Sequence, residues 1–326
     1  MTALYLGVDG GGTTTALCVV TAEGEVVARR RAPSVSYFDD GIGLVADVLR
    51  PAVAEVCAAA GVTPGDLAYA FFGLPGYGES TADRPLLDAA PRDVLGHDRY
   101  RCGNDMVCGW AGSLGAVDGI NVISGTGSMA YGERAGRQVR VGGWGELYGD
   151  EGSAYWIALR GLNAFSRMSD GRLAPGPLLD VVREHLRLAS DLDLVDVMLN
   201  RWGGRRRRVA ALCPLVVEAA DRSDGVATEI LGAAAAELAT LVSCTRGRLG
   251  FGDDEAVAVS WSGGTFNAPR VRDGFRRAYL ERHPGDDLRR PLLPPDLGAA
   301  LHAARLAGHP LAPAALDRLA GRAPTG

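Results

Sequence analysis

The 326-residue sequence contains no lysine, so arginine supplies all 34 of the basic side chains counted as lysine or arginine. This absence excludes a Walker A lysine, a pyridoxal-phosphate Schiff base and any catalytic lysine. If the chain binds a nucleotide, then backbone N–H groups, hydroxyl groups and Mg²⁺ must hold the phosphates. A phosphate site is therefore to be sought in loops rich in glycine, serine and threonine.

Signals for export, membrane insertion and nucleic-acid binding are also missing. The N-terminal residues MTALYLGVDGGG carry neither a basic n-region nor the apolar h-region of a signal peptide. No apolar run approaches the roughly 20 residues that span a bilayer, and the longest, residues 230–242, predicts a buried helix. The net charge of −5 gives no electrostatic reason to expect nucleic acid or an anionic membrane. We therefore expect a cytoplasmic protein with neither partner.

Two further features favour simple interpretations over metal or nucleic-acid binding. The six cysteines form no CxxC pair, and Cys18 and Cys57 fall in apolar, periodic segments, as small buried thiols of a cytosolic protein do. Residues 205–208 are four consecutive arginines. Because no aromatic residues interleave this run and the chain is acidic, it predicts a solvated loop.

A first glycine-rich loop lies between two predicted strands. Residues 4–9, 16–21 and 25–31 read as three strands in succession, and GGGTTT joins the first two. A dinucleotide-binding fold instead places its glycines between a strand and a helix, and the β-branched residues that follow disfavour a helix. Glycines here can bring backbone N–H groups close to a phosphate, and a strand-end aspartate can hold hydrated Mg²⁺. An ordinary glycine hairpin is the alternative.

The second half of the chain repeats this arrangement. Residues 119–124 predict a strand, GTGS follows at residues 125–128, and two more strands are predicted over residues 129–134 and 138–141. A further glycine-rich turn, SGGT, begins at residue 262 after another predicted strand. Two phosphate-type loops at equivalent places in a duplicated fold are much stronger support for nucleotide binding than one.

The duplicated lobe resembles the actin, sugar kinase and Hsp70 ATPase superfamily, and within it the N-acetylglucosamine kinase group of BadF/BadG/BcrA/BcrD-type ATPases. The similarity runs from Leu4 to about Leu306, and its most specific stretch is GGWGELYGDEGSAYWIALRGL at residues 142–162. The resemblance implies an α/β fold of two ribonuclease-H-like, actin-like ATPase domains with a central cleft. It places these domains at residues 1–116 and 117–295, with a C-terminal helix and tail at 296–326 that could pack back on the first lobe. It also implies a homodimer.

The resemblance implies ATP and Mg²⁺ as cofactors. VDGGGT matches the first phosphate loop of the family, SGTGS the second and SWSGGTF the adenosine motif, while Asp9 would hold Mg²⁺ through water. The implied ATP contacts are Asp9, Gly10, Gly11, Gly12, Thr13, Thr14, Gly125, Thr126, Gly127, Ser128, Ala219, Ser262, Gly263 and Gly264.

The segment CGNDMVCGWAGSL matches the one that carries the catalytic acid of the family, and Asp105 falls on that position. A sugar hydroxyl needs a positioned carboxylate to accept its proton, so Asp105 is the candidate general base. A helix N-cap is the alternative role for this aspartate. The implied sugar contacts are Ser36, Gly76, Asn104, Asp105, Gly143, Trp144, Gly145 and Asp150.

The resemblance implies an ATP-dependent hexosamine kinase, with N-acetylglucosamine as the first substrate to consider and its 6-phosphate as the product. Ser36 stands near the family's asparagine contact and Ala219 near its ribose-contacting glycine, so glucosamine and N-acetylmannosamine stay open as substrates. Two other functions remain. One is an ATP-driven activator of a dehydratase or reductase, which the scattered cysteines disfavour, and the other is a sugar-sensing binding module.

Overall fold

The computed structural model describes residues 2–38 and 40–321. They form two compact units. One unit contains the chain up to Val117 and again from Arg290, and the other is Asp118–Arg289. The part of the predicted C-terminal tail at residues 322–326 lies outside the described residues.

The strands and helices of both units are numbered in chain order. The strands are β1 (Leu4–Gly10), β2 (Thr14–Thr21), β3 (Val26–Pro33), β4 (Tyr69–Leu74), β5 (Tyr100–Asn104), β6 (Gly119–Ser124), β7 (Ser128–Arg134), β8 (Arg137–Gly142), β9 (Ala258–Ser262) and β10 (Asp287–Leu288). The helices are α1 (Gly43–Ala59), α2 (Arg84–Leu95), α3 (Met106–Leu114), α4 (Ala154–Ser169), α5 (Pro177–Leu186), α6 (Asp193–Asp196), α7 (Arg206–Ala210), α8 (Cys213–Asp221), α9 (Gly225–Leu249), α10 (Pro269–Leu280), α11 (Pro295–Leu306) and α12 (Pro313–Leu319). Short 3₁₀ turns occupy Pro64–Asp66 and Gly264–Asn267, and Val197–Arg201 is a π-helical turn.

Each unit contains one five-stranded sheet, and the two sheets have the same connectivity. The order is β3-β2-β1-β4-β5 in the first unit and β8-β7-β6-β9-β10 in the second. In both, the first three strands are antiparallel and the last two run parallel to the first. The predicted α/β class and the predicted duplication are confirmed. In the first unit α1 packs on one face of the sheet and α11 on the other, so its central strands read as nearly continuous apolar runs.

The first unit depends on a very close approach of α11 to the sheet. A Cβ atom at Gly7 of β1 would overlap the backbone of Ala300, and one at Gly298 of α11 would overlap the backbone of α3 at Gly112. Arg29 of β3 then binds the buried carboxylate of Asp296 through two hydrogen bonds of 2.8 Å. The sheet, α3 and the first turn of α11 are thereby fixed against one another at backbone contact distance.

The core of the second unit is built around α9. Asp224 caps this helix by accepting a hydrogen bond of 2.9 Å from the N–H of Ala227. Leu231, Leu238 and Val242 lie on its buried face in the core cluster of this unit, so the buried helix predicted at residues 230–242 is confirmed. By length and composition alone α9 could also cross a membrane, with 39% of its most apolar window buried. The core of a globular unit is an equally common place for such a helix.

A buried histidine lies in the first unit without a full set of hydrogen bonds. His302 of α11 is 4% exposed and packs edge-on against the rings of Phe71 and Trp110. Its Nδ1 atom has no hydrogen-bond partner among the described residues. Burial, reinforced by the charges of Arg305 and Arg101, lowers the pKa of His302 to about 4.

We predict that this histidine makes the protein sensitive to acid. The folded-state pKa lies below the ordinary value of 6.5, so the unfolded chain binds more protons between these two pH values. Stability is therefore fully present above about pH 6.5 and falls as the pH decreases, by about 3 kcal/mol at pH 4 from this group. Urea unfolding of the wild type and of His302→Leu across pH 4–7 measures the effect. The variant should lose much of the slope, whereas His309→Leu, which removes an exposed imidazole, should keep it. Equal slopes in all three proteins would contradict the prediction.

Candidate functional site

The first glycine loop, residues 10–14, closes the hairpin between β1 and β2. The N–H of Gly11 donates to the carbonyl oxygen of Thr14 at 2.9 Å, and the Ser34 hydroxyl donates to the carbonyl oxygen of Gly11 at 2.9 Å. Gly12 and Thr13 at the tip are exposed. None of the three glycines has a positive φ. Gly10 is instead required by packing, since a Cβ atom there would lie 2.7 Å from the carbonyl oxygen of Gly73.

Asp9 is the penultimate residue of β1 and directly precedes this loop, in a strongly negative environment. Its register partner on β4 is Gly73, which in turn faces Gly103 on β5. The pKa of Asp9 is raised to about 7, chiefly by burial and then by the charges of Asp105 and Asp296, while a hydrogen bond with the Cys108 thiol opposes the rise. Because burial and the neighbouring negative charges oppose ionisation of Asp9, its carboxylate favours a cation bound beside it.

Asp105 lies between β5 and α3, at the parallel edge of the first sheet. Its side chain makes no capping hydrogen bond to α3. The preceding Asn104 accepts the hydrogen bond from the N–H of Met106 at 3.1 Å and donates to the carbonyl oxygen of Tyr77 at 3.2 Å. Asp105 thus occupies the N-cap position of α3 without a capping bond from its side chain, and buried Asn104 bonds the backbone on both of its sides.

Gly73 allows Asp105 to approach the sheet. A Cβ atom at Gly73 would overlap Sγ of Cys108 and would lie 3.2 Å from Cα of Asp105. Since β4 pairs with β1 at Asp9, this glycine lets the start of α3 pack against the strand ends. The two aspartates are electrostatically coupled as a result.

One predicted sugar contact in the first unit, Gly76, packs against an aromatic side chain that sequence reasoning did not select, and another, Ser36, lies two residues before it in the chain. The N–H of Ser36 donates to the Ser34 hydroxyl at 3.1 Å. Gly76 has a φ of +72°, and a Cβ atom there would overlap the ring of Phe38. Phe38 stacks on Tyr37 with ring centroids 4.8 Å apart and is still 57% exposed. An exposed aromatic residue two positions after Ser36 was the available signal.

The second glycine loop, residues 125–128, closes the hairpin between β6 and β7. The N–H of Gly125 donates to the carbonyl oxygen of Gly127 at 2.9 Å, and the Gly125 carbonyl accepts from Ala154 at 2.8 Å. The Ser128 hydroxyl donates to the carbonyl oxygen of Glu151 at 2.6 Å. Thr126 at the tip is exposed. The loop is thus bonded to the start of α4, which Ser153 caps by accepting a hydrogen bond from the N–H of Trp156.

Asp150 is buried directly against this second loop. It is 3% exposed and has a φ of +58°, a conformation that is uncommon outside glycine. Burial raises its pKa, opposed by Arg206 and by hydrogen bonds from the backbone of Ser128 and Gly145. A Cβ atom at Gly127 would lie 2.8 Å from Oδ2 of Asp150. The predicted sugar contact and the predicted phosphate loop therefore touch within one unit.

Arg206 corrects the prediction made for the run of four arginines. The predicted exposure is confirmed for Arg205, Arg207 and Arg208, but the predicted loop is wrong beyond Arg205, because α7 begins at Arg206. The side chain of Arg206 is only 34% exposed. Its Nη2 atom bonds Oδ2 of Asp150, and its Nη1 atom lies 3.4 Å from Oε2 of Glu146. The contact spans 56 residues, so local sequence pattern could not reveal it.

The segment of residues 143–148 presents apolar side chains to solvent. Gly143 and Gly145 have φ values of +71° and +92°, and Trp144 between them is 72% exposed. Leu147 and Tyr148 are exposed as well. An exposed tryptophan held between two glycines suits the predicted stacking on a sugar face.

The predicted adenosine turn shows a different use of glycine. Gly263 has a φ of +99°, and a Cβ atom there would overlap the carbonyl of Ser124, so the turn after β9 lies against the start of the second glycine loop. The Ser262 hydroxyl accepts a hydrogen bond of 3.0 Å from the side-chain amide of Asn121, and Gly264 has open space around it. Ala219 is fully buried in α8, which leaves its side chain in the core.

The side chains available as metal ligands fit a magnesium ion that is held largely by waters and phosphates. Within residues 2–38 and 40–321 no group of three or more histidine, cysteine, aspartate or glutamate side chains could hold a metal ion. Mg²⁺ keeps several waters and accepts one or two carboxylates. Asp9 alone suffices for such a site.

Comparison with known proteins gives consistent matches over nearly the whole chain. The sequence pattern of the BadF/BadG/BcrA/BcrD ATPase family matches residues 6–303. The N-acetyl-D-glucosamine kinase of Dictyostelium discoideum is 28% identical over 312 residues, 91% of this chain and 97% of that protein. The N-acetylmuramic acid/N-acetylglucosamine kinase of Clostridium acetobutylicum is 28% identical over 284 residues, 86% and 91% of the two chains. The crystal structure of a Chromobacterium violaceum protein assigned as an N-acetylglucosamine kinase matches with a TM-score of 0.73 at 25% identity, over 93% of this chain and 99% of that one.

We predict that Gly73→Ala destabilises the first unit by about 1–3 kcal/mol, because the added methyl group overlaps a closely packed thiol. Cys108→Ala alone should cost about 1 kcal/mol. The double variant should be more stable than the sum of the two losses implies, because removal of Sγ makes room for the new methyl group. Urea unfolding of the three variants measures the coupling. Strictly additive losses would show that Gly73 is not positioned by this contact.

Proposed function

Because the chain belongs to the BadF/BadG/BcrA/BcrD ATPase family, we propose that it is an ATP-dependent amino-sugar kinase. The Dictyostelium discoideum relative is named as an N-acetyl-D-glucosamine kinase and the Clostridium acetobutylicum relative as an N-acetylmuramic acid/N-acetylglucosamine kinase. The observation that carries the proposal is the position of Asp105. It stands at the end of β5, makes no capping bond to α3 and is coupled to Asp9 beside the first glycine loop.

Asp105 is proposed to accept the proton of the sugar hydroxyl as the hydroxyl attacks the γ-phosphoryl group of ATP. The O–H bond of the sugar breaks, a phosphorus–oxygen bond forms, and ADP leaves with the electron pair of the broken phosphoanhydride bond. The N–H of Met106 at the start of α3 donates to the side chain of Asn104. Both glycine loops would bind phosphate groups through backbone N–H and hydroxyl groups, as a chain without lysine requires.

Asp9 is proposed to hold Mg²⁺ through water. Bound Mg²⁺ would neutralise charge on the phosphates and so favour transfer of the phosphoryl group. The contribution of the protein is a carboxylate whose burial among other carboxylates favours a cation beside it.

Recognition of the sugar is proposed to involve Asp150, Trp144 and the residues around Ser36. Serine at position 36 is shorter than the asparagine of the family, so the contact with the N-acetyl group is the part of the substrate most open to change. N-acetylglucosamine is the first choice, with glucosamine and N-acetylmannosamine as alternatives. We further expect a cytoplasmic homodimer, as the resemblance implies.

We predict that sugar-dependent release of ADP from ATP and Mg²⁺ is lost in Asp105→Asn. General-base catalysis contributes about 10²–10⁴-fold, so kcat should fall at least about 100-fold while the protein still binds ADP. N-acetylglucosamine, glucosamine, N-acetylmannosamine and glucose are offered in parallel to rank the substrates. Asp93→Asn, which changes an exposed carboxylate on α2, is the matched control and should leave the rate unchanged.

Two results would contradict the proposal in different ways. Turnover that no sugar stimulates would exclude the kinase, and would favour a sensor or an ATP-driven activator. Sugar-dependent turnover that survives in Asp105→Asn would retain the kinase and exclude Asp105 as its base.

A further inference from the structure

We propose that Arg206 is a positioning residue of the kinase site, which holds Asp150 of the sugar-binding segment against Gly127 of the second glycine loop. The inference rests on the proposed function, because it assigns Asp150 to the sugar and the second glycine loop to ATP. It adds a residue from a third part of the unit, α7, for which the sequence analysis predicts only a solvated loop.

The guanidinium of Arg206 lies against three other residues, Asp150, Glu146 and Gly127. Nη2 of Arg206 bonds the carboxylate of Asp150, and Nη1 lies 3.4 Å from the carboxylate of Glu146. The same Nη2 atom lies so close to Gly127 that a Cβ atom at this residue would overlap it. A glycine is therefore needed at position 127 for the guanidinium to pack on the loop.

The electrostatics indicate what this contact achieves. Asp150 is almost completely buried, and burial favours its neutral form. The charge of Arg206 and the N–H groups of Ser128 and Gly145 favour the carboxylate, whereas Glu146 opposes it. An ionised Asp150 accepts hydrogen bonds from sugar hydroxyls, and a protonated one loses part of that capacity. Arg206 thus keeps a buried carboxylate in its binding form.

The guanidinium is not fully satisfied by these contacts. Its Nε atom is buried and has no hydrogen-bond partner in the described part of the chain. An orphaned donor is costly in a purely structural ion pair. The two neighbouring arginines of α7, Arg207 and Arg208, are exposed, which makes Arg207 a matched control on the same turn.

The test compares the kinetics of Arg206→Gln with those of Arg207→Gln and Asp150→Asn over pH 6–8.5. We expect the KM for the sugar to rise at least tenfold in Arg206→Gln, and to rise further as the pH falls because Asp150 becomes protonated more easily. Arg206→Gln/Asp150→Asn should match Asp150→Asn within about twofold and should lose this pH dependence. Arg207→Gln should behave as the wild type. Arg206→Lys, which retains a charge, should recover part of the affinity if the glutamine variant folds poorly.

Several results would overturn the inference. One is a sugar KM in Arg206→Gln equal to that in Arg207→Gln, and another is a double variant whose loss is the product of the two single losses. If the wild type shows no sugar-dependent turnover, the proposed function fails, and the inference is decided by calorimetric titration of Mg²⁺–ADP without sugar. Arg206→Gln should then bind ADP several-fold more weakly than Arg207→Gln, and equal affinities would overturn the role of Arg206 as well.

Discussion

The burial of Asp9 beside two other carboxylates is the constraint on which the chemistry of the first unit depends. The close packing of α11 on β1 brings Asp296 under the sheet, and the missing side chain of Gly73 lets Asp105 approach from α3. Arg29 balances the negative charge of Asp296 and donates two hydrogen bonds to its carboxylate. Asp9 keeps a raised pKa of about 7, so the fold concentrates negative charge where a glycine loop ends the strand. Such a place is suited to a cation that arrives with a nucleotide rather than to one bound permanently.

The second unit has the same topology but a different balance of charge at its glycine loop. Its glycine loop carries a guanidinium from α7 and a buried carboxylate at Asp150, so much of the charge at this loop is balanced within the unit. A chain without lysine must place arginine wherever it needs fixed positive charge, and arginine remains charged at every physiological pH. Any change of charge with pH near the two loops therefore comes from the carboxylates.

Most of the fold could be predicted from the sequence because it depends on short-range patterns. The strand, loop, strand, turn, strand order of each unit is visible in apolar runs punctuated by glycine, and nearly every predicted strand or helix is present within a few residues. The resemblance added the two-domain α/β class and the candidate residues. The roles of the glycines were harder to predict. None of Gly10, Gly11 and Gly12 takes a positive φ, whereas Gly73 and Gly263 are required by contacts with residues far away in the chain.

The parts of the site that the sequence could not reveal share one physical cause. Arg206 meets Asp150 across 56 residues, Phe38 lies on Gly76, and Cys108 lies on Gly73. Each pair is made by tertiary packing, and neither member carries a local signal of its partner. The same limit applies at the start of α3, where the sequence could not reveal that the side chain of Asn104 accepts the hydrogen bond from the N–H of Met106. A motif identifies which residue types are present. What each side chain can do depends on the groups that it bonds and packs against in the folded chain.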